Sequence, residues 1–206
     1  MKKLKIKVCG MREPKNIQAL ALLPIDYMGF IFYEKSARYT PSLPPVTIPD
    51  AIQKTGVFVN AEKTIIEERI AQGLQAVQLH GRETPTFCEK VKTPQIEVIK
   101  AFGIDPDTAW KTLEPYVGVI DYFLFDTNSP QHGGTGRVFD WDLLKAYPYD
   151  IPYFLSGGLD LVNLPQALAL DDERMIGLDI NSKFEVQPGL KDIEKIQQAL
   201  KIIRHE

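Results

Sequence analysis

The chain has 206 residues, of which 44% are hydrophobic and 25% charged, and carries a net charge of −3. That length suits one domain, residues 1–206, with a full buried core, while the slightly acidic balance gives nucleic acid no field to bind. Neither an apolar run of 18 residues nor a metal-ligand spacing of cysteine and histidine is present, so no membrane partner and no metal are expected. Two widely separated cysteines, Cys9 and Cys88, suit a reduced, cytoplasmic protein.

The N-terminus MKKLKIKVCGMR opens with lysines, but charge recurs at every second residue and no apolar core follows, so a signal peptide is not expected. Residues 4–9 read as a first strand, with Pro14 in the first turn of a helix behind it. Residues 27–32 read as a second strand, and the four prolines within 38–50 leave room for only a stunted second helix. Strand 55–59 precedes a helix at 61–72, and strand 76–80 precedes a helix at 85–91 capped by Thr84. Strands follow at 97–102, 121–126, 153–156 and 175–180, with Asn163 as a further cap. A last helix spans 190–203, where Leu190, Ile193, Ile196, Leu200 and Ile203 fall three and four apart on one face.

Eight strands alternating with helices predict a parallel sheet with helical crossovers. Polar and glycine-rich segments follow nearly every strand. That suits a closed (β/α)8 barrel, whose loops converge on one mouth, better than an open doubly wound sheet with a single switch point.

Four strand ends carry candidate chemistry. Leu155-Ser156-Gly157-Gly158 and Asp179-Ile180-Asn181-Ser182 close the seventh and eighth strands, where this architecture recurrently binds phosphate through backbone amides and a helix N-terminus. Asp126 ends an apolar strand ahead of Gly133-Gly134-Thr135-Gly136, a segment suited to close approach to a ligand. Cys9 ends the first strand beside Gly10, a place where a thiol can be exposed and its thiolate stabilised, whereas Cys88, inside a helical pattern, reads as core. Arg38 offers a planar fork to a carboxylate; as a structural residue, it would be a solvated loop charge. His80 reads equally well as a titrating group or a hydrogen-bonded structural one.

Taken in order, Lys7-Val8-Cys9-Gly10-Met11, the segment from Phe30 through Tyr33, Lys35 and Ser36 to Arg38-Tyr39, Gly56-Val57-Phe58-Val59-Asn60 and Val77-Gln78-Leu79-His80-Gly81 resemble the phosphoribosylanthranilate isomerase family. Asp126-Thr127, Phe139-Asp140-Trp141, Leu155-Ser156-Gly157-Gly158-Leu159 and the ending from Asp179 through Glu185 and Pro188-Gly189 to Lys191-Asp192 continue the resemblance to the last helix. The resemblance implies a (β/α)8 barrel and a cofactor-free Amadori rearrangement in tryptophan biosynthesis. It implies Asp126 as general acid and Cys9 as general base. It also implies Arg38 as the holder of the anthranilate carboxylate and the seventh and eighth loops as the phosphate site. Gln78 and His80 match positions near the substrate.

Lys183 departs from the family pattern, standing where a glycine with left-handed backbone is common. The implied partner is a phosphorylated small molecule, and the chain is expected to be a monomer or a homodimer. An epimerase would want metal-binding histidines at strand ends and an indole-forming synthase would want lysines there. A sensor without activity would have no need of both Cys9 and Asp126.

Overall fold

The computed structural model describes residues 3–128 and 138–204. Eight parallel strands form a closed barrel: β1 (Lys5–Cys9), β2 (Tyr27–Ile31), β3 (Gln53–Phe58), β4 (Ala76–Leu79), β5 (Glu97–Ile104), β6 (Tyr122–Thr127), β7 (Tyr153–Leu155) and β8 (Met175–Ile180). Closure is made by β8 pairing back onto β1, with Lys7 opposite Asp179.

Side chains alternate across the strands, which gives the barrel two cores. Ile6 and Val8, Val77 and Leu79, and Phe123 and Phe125 turn outward into the layer between strands and helices. Tyr27, Ala76, Ile99, Ala101, Leu124 and Phe154 form a separate apolar cluster that plugs the interior. Below that plug Lys5 donates to Tyr27 and Tyr122, and Tyr27 donates to Glu97 at 2.8 Å. Above it most inward residues are polar, and the strand ends open onto a cavity.

The outer layer is thinner than a full set of helices. It contains α1 (Pro14–Leu20), α2 (Lys63–Ala71), α3 (Pro85–Val91), the five-residue α4 (Leu164–Leu168) and α5 (Ile193–Arg204). The expected stunted helix between β2 and β3 is absent. Proline there removes amide donors, and the segment instead buries Ile48 and packs Leu43 and Val46 on the core. After β5 and β6 the crossovers are 3₁₀ turns, Trp110–Tyr116 and Trp141–Ala146. Rings fill the space that longer helices would occupy: Phe125 sits 4.9 Å from Tyr153, 5.1 Å from Tyr147 and 5.6 Å from Trp110, centroid to centroid.

Caps follow sequence chemistry in part. Pro14 and Pro85 stand in first turns, and Thr84 accepts from Phe87 N. Asn163 stands at the start of α4 but makes no cap bond to the helix; its side chain accepts from Asp160 and donates to Gly158 O instead. Leu190 is not helical. It pairs in a short hairpin, β9 (Glu185–Gln187) with β10 (Leu190–Lys191), and α5 begins three residues later. Asn16 pins that hairpin by bonding both the N–H and the C=O of Lys191.

Candidate active site

A cavity of about 320 Å³ occupies the C-terminal mouth of the barrel. Every predicted site residue that lies within the described part of the chain lines it: Cys9, Arg38, Gln78, His80, Asp126, Ser156, Gly157, Gly158, Asp179, Asn181 and Ser182. Gly134, Thr135 and Gly136 lie outside the described residues. Ile31, Val57 and Val59 add an aliphatic wall, and Tyr33 and Lys35 belong to the loop that carries Arg38.

Cys9 is the last residue of β1. Gly10 turns the chain at φ +84°, and the amides of Gly10 and Met11 both donate to Gly29 O at 2.9 Å. A Cβ on Gly29 would stand 2.7 Å from the Cys9 sulfur, so the site requires a glycine on the neighbouring strand. The expectation of an exposed, thiolate-leaning cysteine needs correction. Cys9 is only 3% exposed, and burial pushes the thiol up, with the Asp179 carboxylate adding to the rise and Lys7 and Lys191 opposing it.

Asp126 terminates the inward row of β6 and is 7% exposed. Its Oδ1 accepts the Thr127 amide at 2.8 Å, and its Oδ2 lies 3.6 Å from His80 Nε2. Burial lifts the carboxyl to about 6, helped by Asp179 and resisted by the Thr127 N–H and Lys7. Gln78 and His80 sit two residues apart on the inward face at the end of β4, 2.8 Å between Gln78 Nε2 and His80 Nδ1. If the amide donates, the neutral ring keeps its proton on Nε2, the nitrogen facing Asp126. Among the described residues Gln78 Oε1 is buried with no hydrogen-bond partner.

Arg38 enters from the loop after β2, and its fork lies on Glu185: Nε is 3.0 Å from each oxygen and Nη2 is 2.7 Å from Oε2. Glu185 also accepts from Lys191 Nζ at 2.6 Å and Gly189 N at 3.1 Å. Burial raises this carboxyl, but Arg38 and Lys191 outweigh it and hold it below the usual range. Lys191 in turn is lowered to about 8, mainly by burial. The sequence marks Glu185 and Lys191 as motif residues but does not show that they brace Arg38.

The rim after β7 is built on Gly157 and Gly158, at φ +87° and +66°. A side chain at Gly157 would also strike Thr127 Oγ1 and N at 2.5 and 2.6 Å, so both backbone and space demand glycine. The expected helix dipole is not adjacent, because α4 starts only at Leu164 and is one turn long. After β8 the chain passes Asn181 into a 3₁₀ turn, Ser182–Phe184. Lys183 therefore takes an ordinary right-handed conformation, and its departure from glycine carries no backbone strain. Asp179 faces the cavity already paired, with Lys7 Nζ 2.8 Å from Oδ1.

Among the described residues no group of three or more His, Cys, Asp or Glu side chains is arranged to hold a metal ion. Nor is any described helix long and apolar enough to cross a membrane.

The family model for N-(5'phosphoribosyl)anthranilate (PRA) isomerase matches residues 6–202. A relative from Phocaeicola vulgatus named N-(5'-phosphoribosyl)anthranilate isomerase is 46% identical over 188 residues, 91% of each chain. One of the same name from Parabacteroides distasonis is 41% identical, covering 97% of this chain and 93% of its own. Among solved structures, phosphoribosyl anthranilate isomerase from Thermotoga maritima superposes with a TM-score of 0.81 at 30% identity, over 98% of this chain and all of that one. A phosphoribosyl anthranilate isomerase in complex with reduced 1-(o-carboxyphenylamino)-1-deoxyribulose 5-phosphate gives 0.80 at 30% identity, with the same coverage.

Proposed function

Because the chain belongs to the phosphoribosylanthranilate isomerase family, we propose that it isomerises N-(5-phosphoribosyl)anthranilate in tryptophan biosynthesis. The reaction is a cofactor-free Amadori rearrangement giving 1-(2-carboxyphenylamino)-1-deoxyribulose 5-phosphate. The observation that carries this reading is a buried carboxyl, raised to about 6, sharing one cavity with a cysteine at the end of a different strand.

Asp126 gives its proton to the furanose ring oxygen. The C1–O bond breaks, and the nitrogen lone pair forms a cationic Schiff base. Only a protonated carboxyl can do this near neutral pH, which is what burial beside Asp179 favours. Cys9, as thiolate, then takes the proton from C2. The electrons move toward the iminium nitrogen to give an enolamine, which tautomerises to the ketone. The resting thiol is held up by burial, so its deprotonation needs positive charge close by. The iminium supplies some of that charge and also acidifies the C2–H.

The phosphate end is assigned to Gly157, Gly158, Asn181 and Ser182, where left-handed glycines free backbone amides to approach an anion. Gly134, Thr135 and Gly136 are proposed to contribute from the loop after β6. The anthranilate ring suits the wall of Ile31, Val57 and Val59, with Arg38 at the carboxylate and His80 and Gln78 beside the sugar. Both cysteines are free thiols, in keeping with a cytoplasmic enzyme acting as monomer or homodimer on a phosphorylated small molecule.

A fluorescence assay with freshly made phosphoribosylanthranilate, with and without EDTA, tests the whole reading. Turnover unaffected by the chelator is expected. Absence of turnover by folded protein would remove the assignment, and loss on chelation would remove its metal-free chemistry.

A further inference from the structure

Beneath Cys9 lies a charge that the steps above leave unused. Lys7 precedes Cys9 by two residues on β1, so both side chains leave the strand toward the barrel interior. Lys7 is fully buried, and its Nζ lies 2.8 Å from Asp179 Oδ1. Register places the pair: Lys7 and Asp179 are direct neighbours across β1 and β8. Ser156 Oγ steadies the other carboxylate oxygen at 3.4 Å.

Stability gives little reason for such a pair. Moving both charges out of water is costly, and apolar side chains of similar volume often serve a fold as well or better. The layer just below is filled that way, by Ile99, Leu124 and Phe154. Location gives a better reason, since Asp179 lines the cavity together with Cys9 and Asp126.

We propose that Lys7, anchored by Asp179, is a positioning residue whose ammonium favours loss of the proton from Cys9. The use of that thiolate rests on the reading of Cys9 as the base; the charge effect itself does not. Among the described residues, the charged groups acting on Cys9 are Lys7 from its own strand, Asp179 from β8 and Lys191 from the hairpin. On the β2 side the sulfur faces Gly29, which has no side chain. Lys7 opposes the effect of burial more strongly than Lys191 does. The ammonium of Lys191 is also committed to Glu185 and Asn181, at 2.6 and 2.7 Å.

Labelling with methyl methanethiosulfonate tests this without substrate. The thiolate attacks the reagent's sulfenyl sulfur, a mixed disulfide forms and methanesulfinate leaves, so the rate follows the thiolate fraction. The rate at Cys9 would be read by mass spectrometry of its peptide. Lys7→Met should slow it about tenfold near pH 8, which corresponds to roughly one pKa unit, and Lys7→Arg should restore it. A merely structural role predicts the reverse, because a loosened cavity admits reagent faster. A Lys7→Met protein that melts cooperatively and labels at the wild-type rate or faster overturns the proposal.

Should Lys7→Met fail to melt cooperatively, Lys7→Gln, which keeps a polar group for Asp179, decides by the same measurement: slower labelling is expected, and a rate at or above that of the wild type overturns the proposal. Full turnover by Cys9→Ala would instead end the role of Cys9 as base and leave the labelling result standing.

Discussion

Asp126 is placed where its catalytic state and its cost to the fold have one cause. Burial keeps the carboxyl protonated to about 6, and a carboxyl raised in the native state stabilises the fold fully only below its unfolded pKa. That contribution is withdrawn as pH climbs through the unfolded value toward 6. Asp126→Asn should therefore be more stable than the parent at pH 8, by up to about 3 kcal/mol, with little difference at pH 4. Its turnover should fall by about 10²–10⁴. Chemical denaturation at the two pH values and the fluorescence assay check both. Cys9→Ala should lose turnover to a similar degree while keeping its cooperative melt, and a fully active variant would remove the base.

The sequence shows Cys9 and Asp126 because each ends an apolar run beside a glycine or a polar loop. Lys7 appears in it only as a motif residue, with nothing to mark it as one half of a buried ion pair. Its partner stands 172 positions away, and only the closing register of the barrel brings the two together.

Elements, rather than single residues, set the rim. Strand positions are readable because β-branched and aromatic residues alternate faces between turn signals, and each strand expected from the sequence is found. The helices are less readable. Proline excludes one, and aromatic packing stands in for two others that shrink to 3₁₀ turns. Leu190 keeps helical spacing with α5, yet it lies in the hairpin because Pro188-Gly189 and the Asn16 clamp turn the chain. That hairpin presents Glu185 to Arg38 and Lys191. Glu185→Gln removes the anion between two cations and should cost on the order of 3 kcal/mol in stability. If Arg38 holds the substrate's carboxylate, KM should rise several-fold with a smaller change in kcat, because a disoriented fork weakens binding first. An unchanged KM in steady-state kinetics would separate the hairpin from substrate binding.

Across the whole molecule the barrel interior is divided by its apolar plug. Reaction chemistry is assigned to the polar layer above, and the polar layer below, Lys5 with Tyr27, Tyr122 and Glu97, is left to hold the strands together. Tyr27→Phe should lower stability by about 1–2 kcal/mol, roughly 2–8 °C in Tm, with kcat/KM unchanged. A rate loss would show that the layers are coupled through the plug.

One ribose held between Cys9 and Asp126 is the claim on which the rest depends. A crystal structure of this protein with reduced 1-(o-carboxyphenylamino)-1-deoxyribulose 5-phosphate tests it most directly. The sugar should lie in contact with the Cys9 sulfur at C2 and with the Asp126 carboxyl at the oxygen that leaves C1, and the phosphate on Gly157, Gly158 and the turn at Ser182. A sugar lying out of reach of either side chain would contradict it.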